Sequence, residues 1–275
     1  PLYLYPLLLL LTVSLLCWWY ALVCRPPLPP EWTAAAGAAV SRALVVIAHP
    51  DDETMFFAPT ISAMTSAGIR VFVLCLSSGD YYGQGETRRA ELPRATARLG
   101  VSPEDVTILD WQKMRDGSKW EAGDVAAPII NHTLALDVDV LITFDDVGVS
   151  GHQNHTACSL AVKIARDSLK EKYRIYRLSS PSLFRKYASL LAFPISLLRD
   201  PAATTIYAGP RAVVASWRAM REHRSQLMWF RYLYMAVSSL LFVNSLTRVE
   251  QRRRRDGVYD DKGHVARQRQ SSLSL

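Results

Sequence analysis

Residues 2–24 carry no charge, and apolar side chains would cover every face of a helix built from them. At ~1.5 Å per residue such a helix crosses the ~30 Å hydrocarbon core of a bilayer. Trp18, Trp19 and Tyr20 supply the aromatic side chains of an interface belt. The competing reading is a cleaved signal peptide, but the apolar run is too long for one and no Ala-x-Ala-like site follows it. The pattern predicts an uncleaved transmembrane anchor over residues 1–24. Arg25-Pro26-Pro27-Leu28-Pro29-Pro30 can form neither a regular helix nor a central strand, so 25–42 is expected to be a semi-rigid, Pro-rich linker.

From Ala43 the pattern changes. Short apolar runs at 43–47, 70–76, 106–109, 138–144 and 174–178 read as buried strands. Between them lie helix-period segments, with Met55, Phe56, Ile61 and Met64 on one face of the first and further helices at 86–99, 121–136 and up to about 172. Pro93 is expected to kink the second of these helices. Strands alternating with helices at this spacing predict an α/β domain over 43–226, a Rossmann-like, mostly parallel sheet with helices on both faces. Two later segments are unusually apolar. For 182–198, core packing and a membrane-facing role stand about even. For 227–246, Arg231 and Asn244 interrupt the apolar run, so an interfacial membrane-associated helix is expected rather than a second span.

The charge is uneven. The chain has 32 Lys and Arg against 25 Asp and Glu, a net +7, and residues 247–275 supply +4 of it, with eight basic and four acidic side chains. That tail reads as a solvated, disordered segment that could also lie on an anionic leaflet. No aromatic interleaving or nucleic-acid motif accompanies the charge, so no nucleic-acid partner is expected. Cys17, Cys24, Cys75 and Cys158 form no CxxC pair, which points to reduced thiols in a cytosol-facing domain.

The chemistry lies at two strand ends. Strand 43–47 runs into Ala48-His49-Pro50-Asp51-Asp52-Glu53. Helix capping needs one carboxylate and explains neither the second nor the histidine. Strand 138–144 empties into a Gly-rich loop with His152 and His155, three apart on one helix face. In an open α/β sheet such loops share one crevice. His49, Asp52 and one loop histidine would supply three ligands and leave an open position for water, as catalytic zinc sites do. Dinucleotide binding is rejected: no Gly-x-Gly-x-x-Gly follows the first strand, and two Asp at the helix start would repel a pyrophosphate. The loop 77–85 could cradle a phosphate or sugar, although most such loops are turns. Trp111 and Trp120 could stack on a sugar, with packing at least as good an account. Ala212, Ser216, Ala219, His223 and Gln226 fall on one helix face.

These motifs resemble the LmbE-like zinc-dependent N-deacetylases, in His-Pro-Asp-Asp-Glu at 49–53 and Gly-His-x-Asn-His at 151–155. The runs 55–60, 84–88, 148–152 and 223–227 are most similar to the glycolipid-acting branch of that family, over roughly 43–246. The resemblance implies His49, Asp52 and His155 as ligands of zinc, with iron(II) also suited to the donors. It further implies Asp51 as general base, His152 as a group assisting at the tetrahedral intermediate, and His223 and Gln226 as supports behind the site. The implied substrate is N-acetylglucosaminyl-phosphatidylinositol, deacetylated in the synthesis of glycosylphosphatidylinositol anchors, with the membrane as second partner. Arg88 would meet its phosphodiester. The rivals are a deacetylase of another amino sugar, separable by assay on lipid against free sugar, and a non-enzymatic membrane-anchored sugar-binding module, separable by metal content. Arg25 after the anchor, and glycosylation patterns at Asn131 and at Asn154 inside the metal motif, place the expected protein in the endoplasmic reticulum membrane, single-pass, with its catalytic domain in the cytosol.

Overall fold

In a computed structural model that describes residues 4–25, 27–33, 39–198 and 204–250, seven strands form one sheet. They are β1 (Arg42–Ile47), β2 (Arg70–Cys75), β3 (Val106–Ile108), β4 (Val140–Phe144), β5 (Arg174–Leu178), β6 (Thr204–Tyr207) and β7 (Val243–Arg248), in the order β3-β2-β1-β4-β5-β7-β6. The first five are parallel, and β7 runs antiparallel to both β5 and β6. Val45 of β1 pairs with Val73 on one side and Ile142 on the other, so the strand order reverses at β1. Its side chains from Leu44 to Ile47 are essentially inaccessible, and each is worth roughly 1.5–3 kcal/mol of burial. A crevice opens beyond the carboxyl ends of β1 and β4, the usual place for a ligand in such sheets.

Helices cover both faces. α3 (Ala58–Ser66), α4 (Gly85–Arg98) and α10 (Pro210–Met220) pack together, and α5 (Ala122–Ala135) packs on α7 (Gln153–Ser168). α4 continues through Pro93 as one helix. The short helices α2 (Asp52–Met55) and α6 (Gly148–Gly151) carry the site loops.

α1 (Leu4–Cys24) is long and apolar enough to cross a membrane. Its last turns turn inward. Cys17, Trp18 and Ala21 pack with Leu190, Phe193 and Val243, and Trp18 Nε1 donates to the Ala208 carbonyl at 2.8 Å. The apolar segment 182–198 becomes α8 (Leu183–Lys186), a 3-10 turn and α9 (Phe193–Leu198), and the last two pack on α1. Trp18 is therefore a docking side chain as well as an aromatic near the membrane end.

Two expectations need correction. Residues 227–246 are not one helix. α11 (Trp229–Val237) ends at Ser238, whose extended backbone breaks the spiral and whose Oγ accepts from Leu240 N–H. A 3-10 turn and β7 follow. Val243 and Leu246 fill the sheet, and the fully buried Asn244 ties it to Thr60 and Phe56. From Leu240 on, the apolarity of this stretch is burial in the core and the sheet, while α11 keeps Trp229, Phe230 and Leu233 exposed, and the domain runs past 226 to at least Val249, whose N–H donates to Ile175. The linker is likewise no free spacer where it is described: Trp32 is buried edge-on against Tyr176, and the Glu31 carbonyl accepts from Arg174. Linker residues 26 and 34–38, and the tail from 251 to 275, lie outside the described residues.

Candidate metal and catalytic site

Both sequence motifs meet at the crevice. The chain leaves β1 through His49 and Pro50 and reverses at Asp51, whose φ of 121° is a conformation side chains rarely adopt. Such strain costs of order 1–3 kcal/mol and persists only where the surroundings enforce it. Glu53 does so by accepting the Asp51 N–H on Oε2 at 3.0 Å. Glu53 itself is fully buried, bonded at 2.6 Å to His223 Nε2 and at 2.6 Å to the Thr54 hydroxyl. The turn is thus pinned from behind by a buried ion pair.

Asp52 is held by the backbone. Its Oδ2 accepts from Ala48 and His49 N–H, and Oδ1 lies 3.2 Å from His155 Nε2. His155 stacks on Phe144 at 4.0 Å and meets the Gly148 carbonyl through Nδ1 at 3.0 Å. That bond places the proton of a neutral ring on Nδ1 and turns the Nε2 lone pair toward Asp52. Nε2 is buried and, beside its 3.2 Å approach to Asp52, makes no hydrogen bond among the described residues, so its lone pair suits a metal ligand. His49 faces Asp52 through Nδ1 at 3.8 Å, and its Nε2 meets Asp116 at 3.2 Å and the Asn154 amide at 3.1 Å.

Ligand atoms of His49, His152 and His155 lie within 4.8 Å of one another. The third place in a coordination set thus falls to Asp52 or to His152. Asp52 lies inside the crevice, while His152 is exposed at its rim.

The electrostatics agree. Burial raises the Asp52 carboxyl, but His155, His49 and backbone donors more than offset it and hold the group well below the usual carboxylate range. Burial lowers His155, and Asp52 outweighs that to raise it. The pair is built to share a positive charge, which a metal cation would supply in place of a proton. His152 is lowered by burial and by the neighbouring His49 and His155. The surrounding cavity of about 470 Å3 is walled by Tyr81, Tyr82, Arg88, Gln226 and Arg231.

The sequence pattern of the GlcNAc-PI de-N-acetylases, PIG-L, matches residues 44–166. The N-acetylglucosaminyl-phosphatidylinositol de-N-acetylase of Bos taurus is 41% identical over 221 residues, 79% of this chain and 87% of that protein. A probable counterpart in Schizosaccharomyces pombe is 37% identical, covering 76% of this chain and 88% of its own length. The chain belongs to the GlcNAc-PI de-N-acetylase family. Among solved structures, the A40926 pseudoaglycone deacetylase Dbv21 superposes with a TM-score of 0.58 at 14% identity, over 76% of this chain and 97% of that one. GalB, a 4-carboxy-2-hydroxymuconate hydratase of Pseudomonas, reaches 0.52 at 16% identity, over 77% and 97%. These distant likenesses show the fold alone, and a fold that carries both reactions leaves the chemistry to the site.

Within this family member, the expectation for Arg88 changes. Its guanidinium is buried and donates to the Gly79 carbonyl at 2.7 Å and to the Pro50 carbonyl at 2.6 Å. A Cβ at Gly79 would lie 2.4 Å from that guanidinium, so the loop after β2 closes down on it. Arg88 stitches two loops together and has little left to offer a phosphodiester. The cation with room is Arg231 of α11, whose side chain is 18% exposed against 8% for Arg88 and pairs with Asp51. Sequence reasoning had used Arg231 only as an objection to a second span. Its signal was there, as a lone charge in an apolar run requires a reason. Asp116 was missed outright, because it sits in an ordinary polar stretch. His223 lies behind the Asp51 turn, bonded to Glu53, and Ser225 of the same segment bonds Glu91, while Gln226 lines the cavity itself. Trp120 packs inside and donates to the Arg115 carbonyl, Trp111 is exposed, and the exposed Tyr81 and Tyr82 line the rim of the cavity.

Proposed function

We propose that this protein hydrolyses the N-acetyl group of N-acetylglucosaminyl-phosphatidylinositol, giving acetate and glucosaminyl-phosphatidylinositol in glycosylphosphatidylinositol-anchor synthesis. The observation that carries the reading is the convergence of buried His155 Nε2, the Asp52 carboxylate and His49 in one cavity, beside an apolar, outward-facing helix. His49, Asp52 and His155 would hold the metal, for which zinc is the first choice and iron(II) suits the same donors. A bound zinc supplies a Lewis acid for the acetamide carbonyl and acidifies water at neutral pH.

The chain's own residues do the rest. Asp51, fixed by its strained backbone and faced by Arg231, accepts a proton from the attacking water. His152 Nδ1 accepts from Asn154 N–H at 3.3 Å, so the neutral ring carries its proton on Nε2. Nε2–H can then donate to the developing oxyanion. Burial and the neighbouring His49 and His155 lower His152, which favours this neutral form. The proton needed by the departing amine returns from Asp51 as the C–N bond breaks. Arg88 and Arg231 both line the cavity, and Arg231, the more exposed of the two, is placed to meet the substrate's phosphodiester beside its pairing with Asp51.

A deacetylase of a free amino sugar would need neither α1 nor the exposed Trp229, Phe230 and Leu233 beside the cavity. The same features, with Arg25 directly after α1, favour a single-pass protein of the endoplasmic reticulum membrane with its catalytic domain in the cytosol. The deciding experiment is deacetylation of the glycolipid and of free N-acetylglucosamine, each with and without a chelator. Turnover of the lipid alone, abolished by chelation and restored by zinc, is expected. Chelator-resistant turnover would overturn the metal assignment, and equal turnover of the free sugar would overturn the substrate.

A further inference from the structure

A second cavity, of about 580 Å3, lies between the C-terminal ends of α4 and α10 and the start of α11. Arg98, Arg218, Arg221 and Arg224 line it, with Leu227 and Tyr232 on the α11 side. Its one acid, Glu222, is already committed: Oε1 accepts from Arg98 at 2.9 and 2.7 Å, and Oε2 lies 3.6 Å from Arg94. Arg218, Arg221 and Arg224 have no ion pair among the described residues.

Exposed arginines are ordinarily just solvated. Here two features argue for a ligand. Arg218 in the last turn of α10 and Arg221 just past its end stand three apart, where like charges repel, and Arg224 and Arg98 bring further charge to the same hollow from other elements. An anion would offset that repulsion. The basic hollow also adjoins the apolar face of α11, where Met228, Trp229, Phe230 and Leu233 are all at least 48% exposed. Behind that face the buried Tyr234 meets Tyr187 edge-on, and further along the chain Phe242 meets Trp18 of α1 edge-on. A basic hollow edging an apolar face is the arrangement expected at headgroup depth.

We infer that this cavity binds the phosphodiester headgroup of an anionic phospholipid in the leaflet that carries α1. Guanidinium forks match phosphate oxygens in pairs, and arginine rather than lysine at all four positions fits that use. The inference rests on the membrane side assigned above and not on the deacetylation chemistry.

Its test uses the full chain in neutral detergent micelles, titrated with a fluorescent short-chain phosphatidylglycerol over excess phosphatidylcholine and read by anisotropy. Phosphatidylglycerol carries no inositol or sugar, and Arg231→Gln run in parallel reads out any phosphodiester held in the catalytic cavity. Arg218→Gln/Arg221→Gln is expected to weaken binding on the order of tenfold or more. The charge-matched control Lys119→Gln/Lys170→Gln, at two exposed sites, should stay within about twofold of the parent protein. Unchanged thermal stability of both variants establishes that they are folded. Loss under about threefold, or equal loss in the control, would overturn the site. Inorganic phosphate that displaces the lipid at equal concentration would assign the hollow to a free anion and overturn the headgroup.

Discussion

Replacing His223 by leucine tests whether the catalytic turn is held from behind. The His223–Glu53 contact is 2.6 Å long and both side chains are fully inaccessible. Removing one partner of a buried pair leaves an uncompensated charge, at a cost of about 3–5 kcal/mol. The Glu53 carboxylate would keep only the Thr54 hydroxyl and the Asp51 N–H. Against a total stability of about 5–15 kcal/mol this is a large fraction, and at ~2–4 °C per kcal/mol it lowers Tm by roughly 6–20 °C. The double variant Glu53→Met/His223→Leu removes both charges and should be less destabilised than His223→Leu alone. The pH dependence has a definite sign. Burial lowers His223 from its ordinary 6.5, but Glu53 more than offsets this and raises it in the folded protein. A raised folded-state value means the stabilisation is complete below about pH 6.5 and is lost as pH climbs through the folded-state value. The Tm gap between parent and His223→Leu should therefore narrow with rising pH. The assay is tryptophan fluorescence melting of the full chain in neutral detergent at fixed scan rate, from pH 5.5 to 8.5. A penalty below about 1 kcal/mol, a double variant worse than the single, or a gap that widens with pH would refute the reasoning.

Other outcomes follow from the site. His49→Ala, Asp52→Ala and His155→Ala should each reduce bound metal from roughly one per chain to near zero by elemental analysis, and full occupancy in all three would remove the ligand set. Asp51→Asn should keep its metal but lose on the order of 100- to 10,000-fold in kcat, because an amide cannot accept the water's proton; near-parental turnover would exclude Asp51 as base. Arg231→Gln, with metal retained, should lower kcat/KM for the glycolipid by about tenfold or more, whereas unchanged kcat and KM would leave Arg231 no role. Protease added outside sealed microsomes should digest the domain, and Asn131 should carry no glycan; a protected, glycosylated domain would reverse the orientation.

How far the sequence reached depends on the kind of signal. Parallel strands buried on both faces leave continuous apolar runs, so β1, β2, β4 and β5 were readable, as were the residues that converge at their ends. The antiparallel edge was not. Val243-Asn244-Ser245-Leu246 follows an apolar helix after one short apolar turn, and in one dimension they merge into a single apolar stretch; the break at Ser238 and the pairing of Asn244 with Thr60 and Phe56 separate them in the fold. Single residues placed by loops are harder still. Asp116 reaches His49 from a segment with no periodicity, and nothing in its neighbours announces it. Arg88 shows the opposite failure. An arginine after a Gly-rich loop looks like an anion site, yet the loop closes on the guanidinium and spends its donors on main-chain carbonyls.

The two glycosylation patterns are not equal witnesses to topology. The sequence argument was that a glycan on Asn154 would crowd the metal motif. The structure sharpens this: Asn154 is 2% exposed and its amide lies 3.1 Å from His49. Once folded, that amide is closed to a transferase on either side of the membrane, so an unmodified Asn154 says little about orientation. Asn131 is different, because it sits exposed on the surface of α5. A luminal domain would present it to the transferase and a cytosolic one never would. The glycan state of Asn131, read beside protease access, therefore carries the topological question, and the burial of Asn154 becomes evidence about the site instead.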